Sequence, residues 1–182
     1  MTEATDDRLV QESLGGRLEA FDQLMLRYQK LVCKVAMNYV KDRQSGLDVT
    51  QNVFLKAYKN LDHVRAEGMF KPWLLRITYN ESINWIRKGK NEKRHEELDD
   101  YADISATEAD QERRVFERED QGRVLEGLKK LNPKYRMAVA LRYAEGLRVR
   151  EIADVMGCSE GMVKSLLFRG VRQIKKSIAR PA

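Results

Sequence analysis

The sequence predicts an all-α fold, in which two small helical domains are joined by a flexible acidic linker and the C-terminal domain carries a helix-turn-helix. Apolar residues recur at helical spacing along most of the 182 residues, and few segments alternate as strands do. This periodicity fades over residues 91–110, which are polar and acidic. We therefore expect an N-terminal domain at 1–90, a linker at 91–110 and a C-terminal domain at 111–182.

Four helices are expected in the N-terminal domain. Their apolar positions place them at residues 6–13, 18–40, 47–60 and 70–88. The second has a broad apolar face running from Phe21 to Tyr39, as an amphipathic helix packed on a core requires. Pro72 suits the first turn of the fourth helix, where its missing N–H costs nothing. Residues 41–46 and 62–70 are expected to be loops.

The C-terminal domain begins with predicted helices at 111–131 and 134–144, and Val149–Phe168 follows as two short helices around a tight turn. Gly157 stands where the turn needs a positive φ, and Ser159 is placed to cap the second helix, which is expected to end near Ala179. Such a unit places its second helix in the DNA major groove. An ordinary helical hairpin in a bundle is the alternative. The side chains expected to point away from the first helix are Lys164, Ser165, Phe168 and Arg169.

Charge is distributed unevenly along the chain, whose net charge is +6. Residues 1–90 carry 15 basic and 11 acidic side chains, residues 91–110 carry 2 and 8, and residues 111–182 carry 17 and 9. The basic C-terminal part favours phosphate contact. The acidic, polar N-terminus is unlike a signal peptide, and Cys33 and Cys158 are expected to be free, buried thiols. These features predict a cytoplasmic protein in a reducing compartment.

No catalytic constellation, phosphate-binding glycine loop or metal-ligand spacing is found, so we expect a protein that is not an enzyme and needs no cofactor or metal. The fourth predicted helix instead mixes residue types that bind nucleic acid. Arginine and lysine hold phosphates, aromatic rings stack on unpaired bases, and asparagine hydrogen-bonds base edges. Trp73 is expected in the core, whereas Trp85 is either a core residue or a stacking platform. The helix carries Arg76, Tyr79, Asn80, Asn84, Trp85, Arg87 and Lys88.

Four segments, in order and spaced around the acidic stretch, resemble extracytoplasmic-function (ECF) sigma factors, the small bacterial initiation factors of RNA polymerase. The N-terminal matches are AFDQLMLRY, VTQNVFLKAYKNL and FKPWLLRITYNESINWIRK. The C-terminal match is LRYAEGLRVREIADVMGCSEGMVKSLLFRGVRQIKK, which resembles the family's reader of the promoter −35 element. The resemblance covers nearly the whole chain. It implies a protein that binds core polymerase through the β′ and β subunits and directs promoter-specific initiation.

The resemblance also implies contacts, position by position. Loop 62–70 would capture a base flipped from the non-template strand of the −10 element, and the acidic linker would enter basic polymerase channels. The polymerase-binding residues would be Asp48, Val49, Gln51, Asn52, Phe54 and Leu55. Melted −10 DNA would contact Arg65, Phe70, Arg76, Tyr79, Asn80, Asn84 and Arg87. The −35 duplex would contact Arg148, Lys164, Ser165, Phe168, Arg169 and Arg172.

Three departures from the family pattern bear on function. Leu166 stands where many relatives have an arginine that contacts DNA, and Tyr79 replaces a frequent basic residue. The usual acidic cluster at the start of the polymerase-binding helix reads Ser-Gly-Leu-Asp at residues 45–48, and Asn52 replaces a usual glutamate. Phosphorylation adds about −1.5 to −2 charges at one site. We therefore expect a Ser/Thr kinase to activate the protein at Thr50 or Ser45, as in the family subset that lacks the acidic motif; simple drift of the motif is the alternative.

Two other functions compete with this one. The first is a stand-alone helix-turn-helix regulator that binds paired half-sites as a dimer. The second is a DNA-acting enzyme such as a recombinase, which the missing acidic triad and nucleophile disfavour. An anti-sigma factor is a further expected partner.

Overall fold

A computed structural model describes residues 4–40, 42–64, 68–90 and 121–178, and every regular element in these ranges is helical. The chain divides into two compact units, Met1–Glu96 and Glu97–Ala182. The predicted all-α class and the two helical domains are confirmed. The expected linker at 91–110 lies outside the described residues, as do Arg65 and the first ten residues of the predicted helix 111–131.

The N-terminal unit is built from α1 (Asp6–Leu14), α2 (Leu18–Met37), α3 (Arg43–Lys59) and α4 (Phe70–Lys90), with a short 3₁₀ turn at Leu61–His63. α2 packs against the other three helices, and α3 also packs against α4. Their shared core is apolar, and burial of such side chains is the main force holding the helices together. It is formed by Leu9, Val10, Ala20, Phe21, Leu24, Val32, Ala36, Val40, Val49, Val53, Phe54, Ala57, Leu61, Phe70 and Leu74.

α3 begins four residues before its predicted start, so residues 43–46 are helical rather than a loop. The cause is a cap: the Asp42 carboxylate accepts hydrogen bonds from the Ser45 backbone N–H (2.8 Å) and hydroxyl (2.7 Å). These bonds lower the pKa of Asp42 below its usual range. Gly46 then allows α3 to approach α2 closely, because a Cβ there would lie 2.9 Å from Met37 Cγ.

The C-terminal unit contains α5 (Gln121–Lys130), α6 (Pro133–Val139), α7 (Val149–Met156) and α8 (Glu160–Ile178). A π-helical turn, Ala140–Ala144, continues α6, where the sequence predicts one regular helix. α8 packs against all three other helices. Glycine permits two of these contacts, since a Cβ at Gly170 would lie 2.9 Å from Val139 Cγ2 and one at Gly127 would lie 2.7 Å from Ser177 Oγ.

Candidate nucleic-acid and polymerase interfaces

The turn between α7 and α8 has the geometry that the sequence predicts. Gly157 ends α7 in the left-handed region, with φ +63°. The Ser159 hydroxyl accepts a hydrogen bond from the Met162 backbone N–H at 3.2 Å and caps α8. At the other end of α7, the Arg148 backbone N–H donates to the Glu151 carboxylate at 2.6 Å. The backbone is therefore fixed at both ends of α7 and at the start of α8, the predicted reader helix.

The outer face of α8 carries side chains four residues apart. Lys164 and Phe168 are half-buried, whereas Arg172 is exposed. Residues at this spacing lie on one side of a helix. Arg169 is half-buried beside them, and the exposed Arg148 side chain stands at the start of α7. This face can offer two kinds of contact to duplex DNA, cations for phosphates and an aromatic edge for bases.

α4 presents a second polar stripe. Arg76, Asn80, Asn84 and Arg87 are all exposed, and their spacing of three or four residues places them along one side of the helix. Trp85, 36% exposed, adds an aromatic surface at the end of the same helix. A stripe with a guanidinium group at each end and two carboxamide groups between them can hold a phosphate backbone and hydrogen-bond unpaired base edges.

A groove of about 540 Å³ lies between α2 and α3. Its lining is mostly apolar, and Leu18, Leu47, Leu55 and Tyr58 at its walls each remain more than 40% exposed. The remaining lining residues are Phe21, Asp22, Met25, Gln29, Thr50, Gln51 and Phe54. Exposed apolar surface of this kind, on an otherwise polar protein, is typical of a protein-docking site.

Comparisons with known proteins match the chain in two separate segments. The sequence profile of sigma-70 region 2 matches residues 24–92, and that of sigma-70 region 4 matches residues 121–174. The chain is 31% identical to the RNA polymerase sigma-H factor of Pseudomonas aeruginosa, over 98% of this chain and 96% of that protein. It is 32% identical to the ECF RNA polymerase sigma-E factor of Haemophilus influenzae, over 96% of this chain and 95% of the relative. The chain belongs to the ECF family of RNA polymerase sigma factors.

Solved structures show the same fold. A sigma factor RpoE bound to the anti-sigma factor NepR, from Bartonella quintana, has a TM-score of 0.66 at 21% identity, covering 89% of this chain and 98% of that one. CnrH in complex with the cytosolic domain of CnrY also has a TM-score of 0.66, at 22% identity and 95% and 96% coverage. As a sigma factor, the protein directs transcription initiation with RNA polymerase. The rival assignments, a stand-alone regulator and a recombinase, are set aside.

Three of the predicted contact residues are buried in this sigma factor. Val49 and Phe70 are each 1% exposed and Ser165 is 8% exposed, so in the free protein their side chains belong to the packed interior rather than to an open surface. Val49 is a core residue of α3, and Phe70 anchors the start of α4; their contacts with polymerase and DNA stay predictions. Leu166, at 2% exposure, lies inside the C-terminal unit, so its side chain is a packing residue in the free protein.

Two further predicted residues have mixed roles. Phe54 is 7% exposed but lines the groove. Tyr79 is half-buried and packs edge-on against Tyr39, with ring centroids 5.8 Å apart. One side of the Tyr79 ring therefore has a protein neighbour already. The remaining predicted polymerase-binding side chains, Asp48, Gln51, Asn52 and Leu55, are exposed or partly exposed on α3.

The sequence prediction missed several exposed residues. Leu18 and Tyr58 form part of the apolar groove, and Arg150 adds an exposed cation to the first turn of α7. A signal for the groove was available: the apolar residues of α3 occupy two stripes. Val49, Val53 and Ala57 form the stripe that packs in the core. Leu47, Leu55 and Tyr58 form a second apolar stripe, which a helix that packs on one side only does not require.

Among the residues that the structure describes, no group of three or more His, Cys, Asp or Glu side chains could hold a metal ion. Cys33 and Cys158 are free and half-buried, rather than fully buried as expected. Burial raises the pKa of the Cys158 thiol, which keeps it protonated at neutral pH. No helix in the described ranges is long and apolar enough to span a membrane.

Proposed function

We propose that this sigma factor binds core polymerase through the α2–α3 groove, holds melted −10 DNA along α4 and reads the −35 duplex with α8. The observation that carries this assignment is the stripe of Arg76, Asn80, Asn84 and Arg87, which is exposed on the unit that also bears the groove. The protein acts in the cytoplasm and performs no chemistry, so the polymerase supplies catalysis.

The test is transcription by core polymerase from a promoter that the purified protein, either unmodified or as Thr50→Glu, selects from a random library. Asn84→Ala is expected to reduce discrimination against −10 substitutions by about five- to 150-fold, the range for one bidentate base contact. It should leave the effect of −35 substitutions unchanged. Lys164→Ala should show the opposite pattern. If both variants lose discrimination at both elements, the assignment of separate surfaces is wrong.

Control by phosphorylation at Thr50 is the second part of the proposal. Thr50 lines the groove, and its hydroxyl donates a hydrogen bond to the Gly46 carbonyl at 2.7 Å within α3. A phosphate there would add negative charge at the wall of the docking site, where this chain lacks carboxylates usual in the family. Ser45 is the weaker candidate, because its hydroxyl already donates to Asp42 and a phosphate would meet that carboxylate.

Polymerase affinity tests this proposal. Thr50→Ala and unmodified wild type are expected to bind core polymerase weakly, whereas the kinase-treated wild type and Thr50→Glu bind tightly. Ser45→Ala is the matched control and should still respond to the kinase. Tight binding by the unmodified wild type would exclude kinase control. An inhibitor of the anti-sigma class, such as NepR in the first solved complex, would then be the next candidate for control.

A further inference from the structure

A hydrogen bond joins the first helix to the loop that precedes α4. The Asp7 carboxylate accepts from the Gly68 backbone N–H at 2.8 Å, although the two residues are 61 positions apart. Gly68 has φ +71°, a conformation that glycine adopts without strain, and its N–H points to α1 in that conformation. The bond therefore fixes the backbone two residues before α4 begins.

Asp6, the residue before Asp7, holds α1 in place against α2. Asp6 accepts hydrogen bonds from the Arg27 guanidinium and from the Tyr28 phenol, both on α2. Arg27 also donates to the Ala4 carbonyl at 2.8 Å, and Leu9 and Val10 bury the inner side of α1. Charge-assisted bonds in a partly buried setting are the stronger kind. Asp7 thus projects from a helix whose position is set independently of the loop.

A second connection reaches the same place through aromatic packing. The Tyr28 ring lies 5.4 Å from the Phe70 ring, and Phe70 lies 5.9 Å from Trp73. Phe70 is fully buried and is the first residue of α4. Asp7 holds the backbone at Gly68, and Tyr28, which donates to Asp6, packs against Phe70 at the start of α4. Asp6 and Asp7 therefore connect α1, directly or through Tyr28, to two residues that are two positions apart.

We propose that Asp7 is a positioning residue for −10 recognition, which fixes the backbone at Gly68, two residues before α4, before DNA arrives. This inference rests on the proposed function of α4. Binding of melted DNA is weakened by the entropy cost of any backbone that must be ordered in the same step. A helix start that is fixed in advance avoids that cost, so removal of the bond should weaken −10 recognition without touching the −35 contacts.

The experiment measures binding of the polymerase holoenzyme to non-template-strand oligonucleotides that carry the selected −10 element. Each −10 position is replaced in turn by the other bases, and the preference for the correct base is the readout. Asp7→Ala is expected to reduce that preference by about three- to tenfold at one position, the size of one lost hydrogen bond. Asp7→Asn keeps an acceptor oxygen and is expected to retain the preference. Binding of −35 duplex should stay the same in both variants.

Thr5→Ala is the matched control. The Thr5 hydroxyl caps α1 by accepting from the Arg8 N–H, so this change weakens the helix without removing the loop contact. Equal loss of base preference in Thr5→Ala and Asp7→Ala would overturn the inference, as would an unchanged preference in Asp7→Ala. A wild type without preference at any −10 position would instead overturn the proposed function of α4. Thermal melting of each variant confirms that the compared proteins are folded.

Discussion

The groove between α2 and α3 and the outer face of α8 are two of the three binding surfaces that we propose for this sigma factor, and they offer opposite kinds of contact. The groove exposes Leu18, Leu47, Leu55 and Tyr58, whereas α8 presents cations around Phe168. Apolar burial depends little on ionic strength, but each phosphate contact releases counterions and weakens as salt rises. Polymerase binding and −35 binding should therefore respond differently to the same increase in salt concentration.

The largest expected effect comes from damaging one unit and leaving the other intact. Ile152 is fully buried in α7, and truncation of such a side chain costs about 2–5 kcal/mol. Ile152→Ala should therefore abolish −35 duplex binding while core polymerase affinity is retained. Both tryptophans of the chain, Trp73 and Trp85, lie in the N-terminal unit, so tryptophan fluorescence should report an unchanged unfolding transition there. Asp154→Ala, an exposed change on the same helix, is the control.

The groove is tested by a smaller change at its wall. Leu55 is 53% exposed and lines the groove, so Leu55→Ser should raise the dissociation constant for core polymerase by about five- to 30-fold, as expected for an interface anchor. Leu26 is 63% exposed on α2 and does not line the groove, which makes Leu26→Ser a control of matched chemistry. Equal weakening by both substitutions would show that the groove is not the docking site.

The groove also illustrates what the sequence could and could not predict. Helical periodicity predicted each of the eight α-helices found in the described ranges, because each helix must bury one face. Periodicity could not separate a core stripe from a docking stripe on α3, since both are apolar. It likewise placed Ser165 on the reader face, whereas tertiary packing buries it. The start of α3 was misplaced because a capping aspartate, rather than apolar spacing, decides where that helix begins.

The salt dependence of −35 duplex binding gives a further test of the contrast between the groove and the outer face of α8. Arg172 is exposed on the outer face of α8, where it can contact phosphate. Arg172→Ala should weaken −35 duplex binding similarly for all sequences and reduce the slope of log K against log salt by about 0.9. Lys129→Ala, which removes an exposed lysine of α5 that pairs with Glu126, should leave the slope unchanged. A slope that is equal in Arg172→Ala and wild type would remove this arginine from the interface.

The smallest effect concerns how the N-terminal unit is held together, and its size depends on pH. Burial and the hydrogen bond to Asp6 raise the pKa of Tyr28 above its ordinary value of 10.0. Above about pH 10 the unfolded chain releases this proton while the folded chain keeps it, so stability falls as pH rises. At neutral pH, Tyr28→Phe should lower the free energy of unfolding by about 0.5–1.5 kcal/mol through the lost hydrogen bond. Because phenylalanine has no proton to lose, the difference between variant and wild type should shrink above pH 10. Urea unfolding followed by tryptophan fluorescence measures the free energy of unfolding of wild type and variant at each pH. A difference that stays constant from neutral pH to above pH 10 would show that Tyr28 ionises equally in the folded and unfolded states.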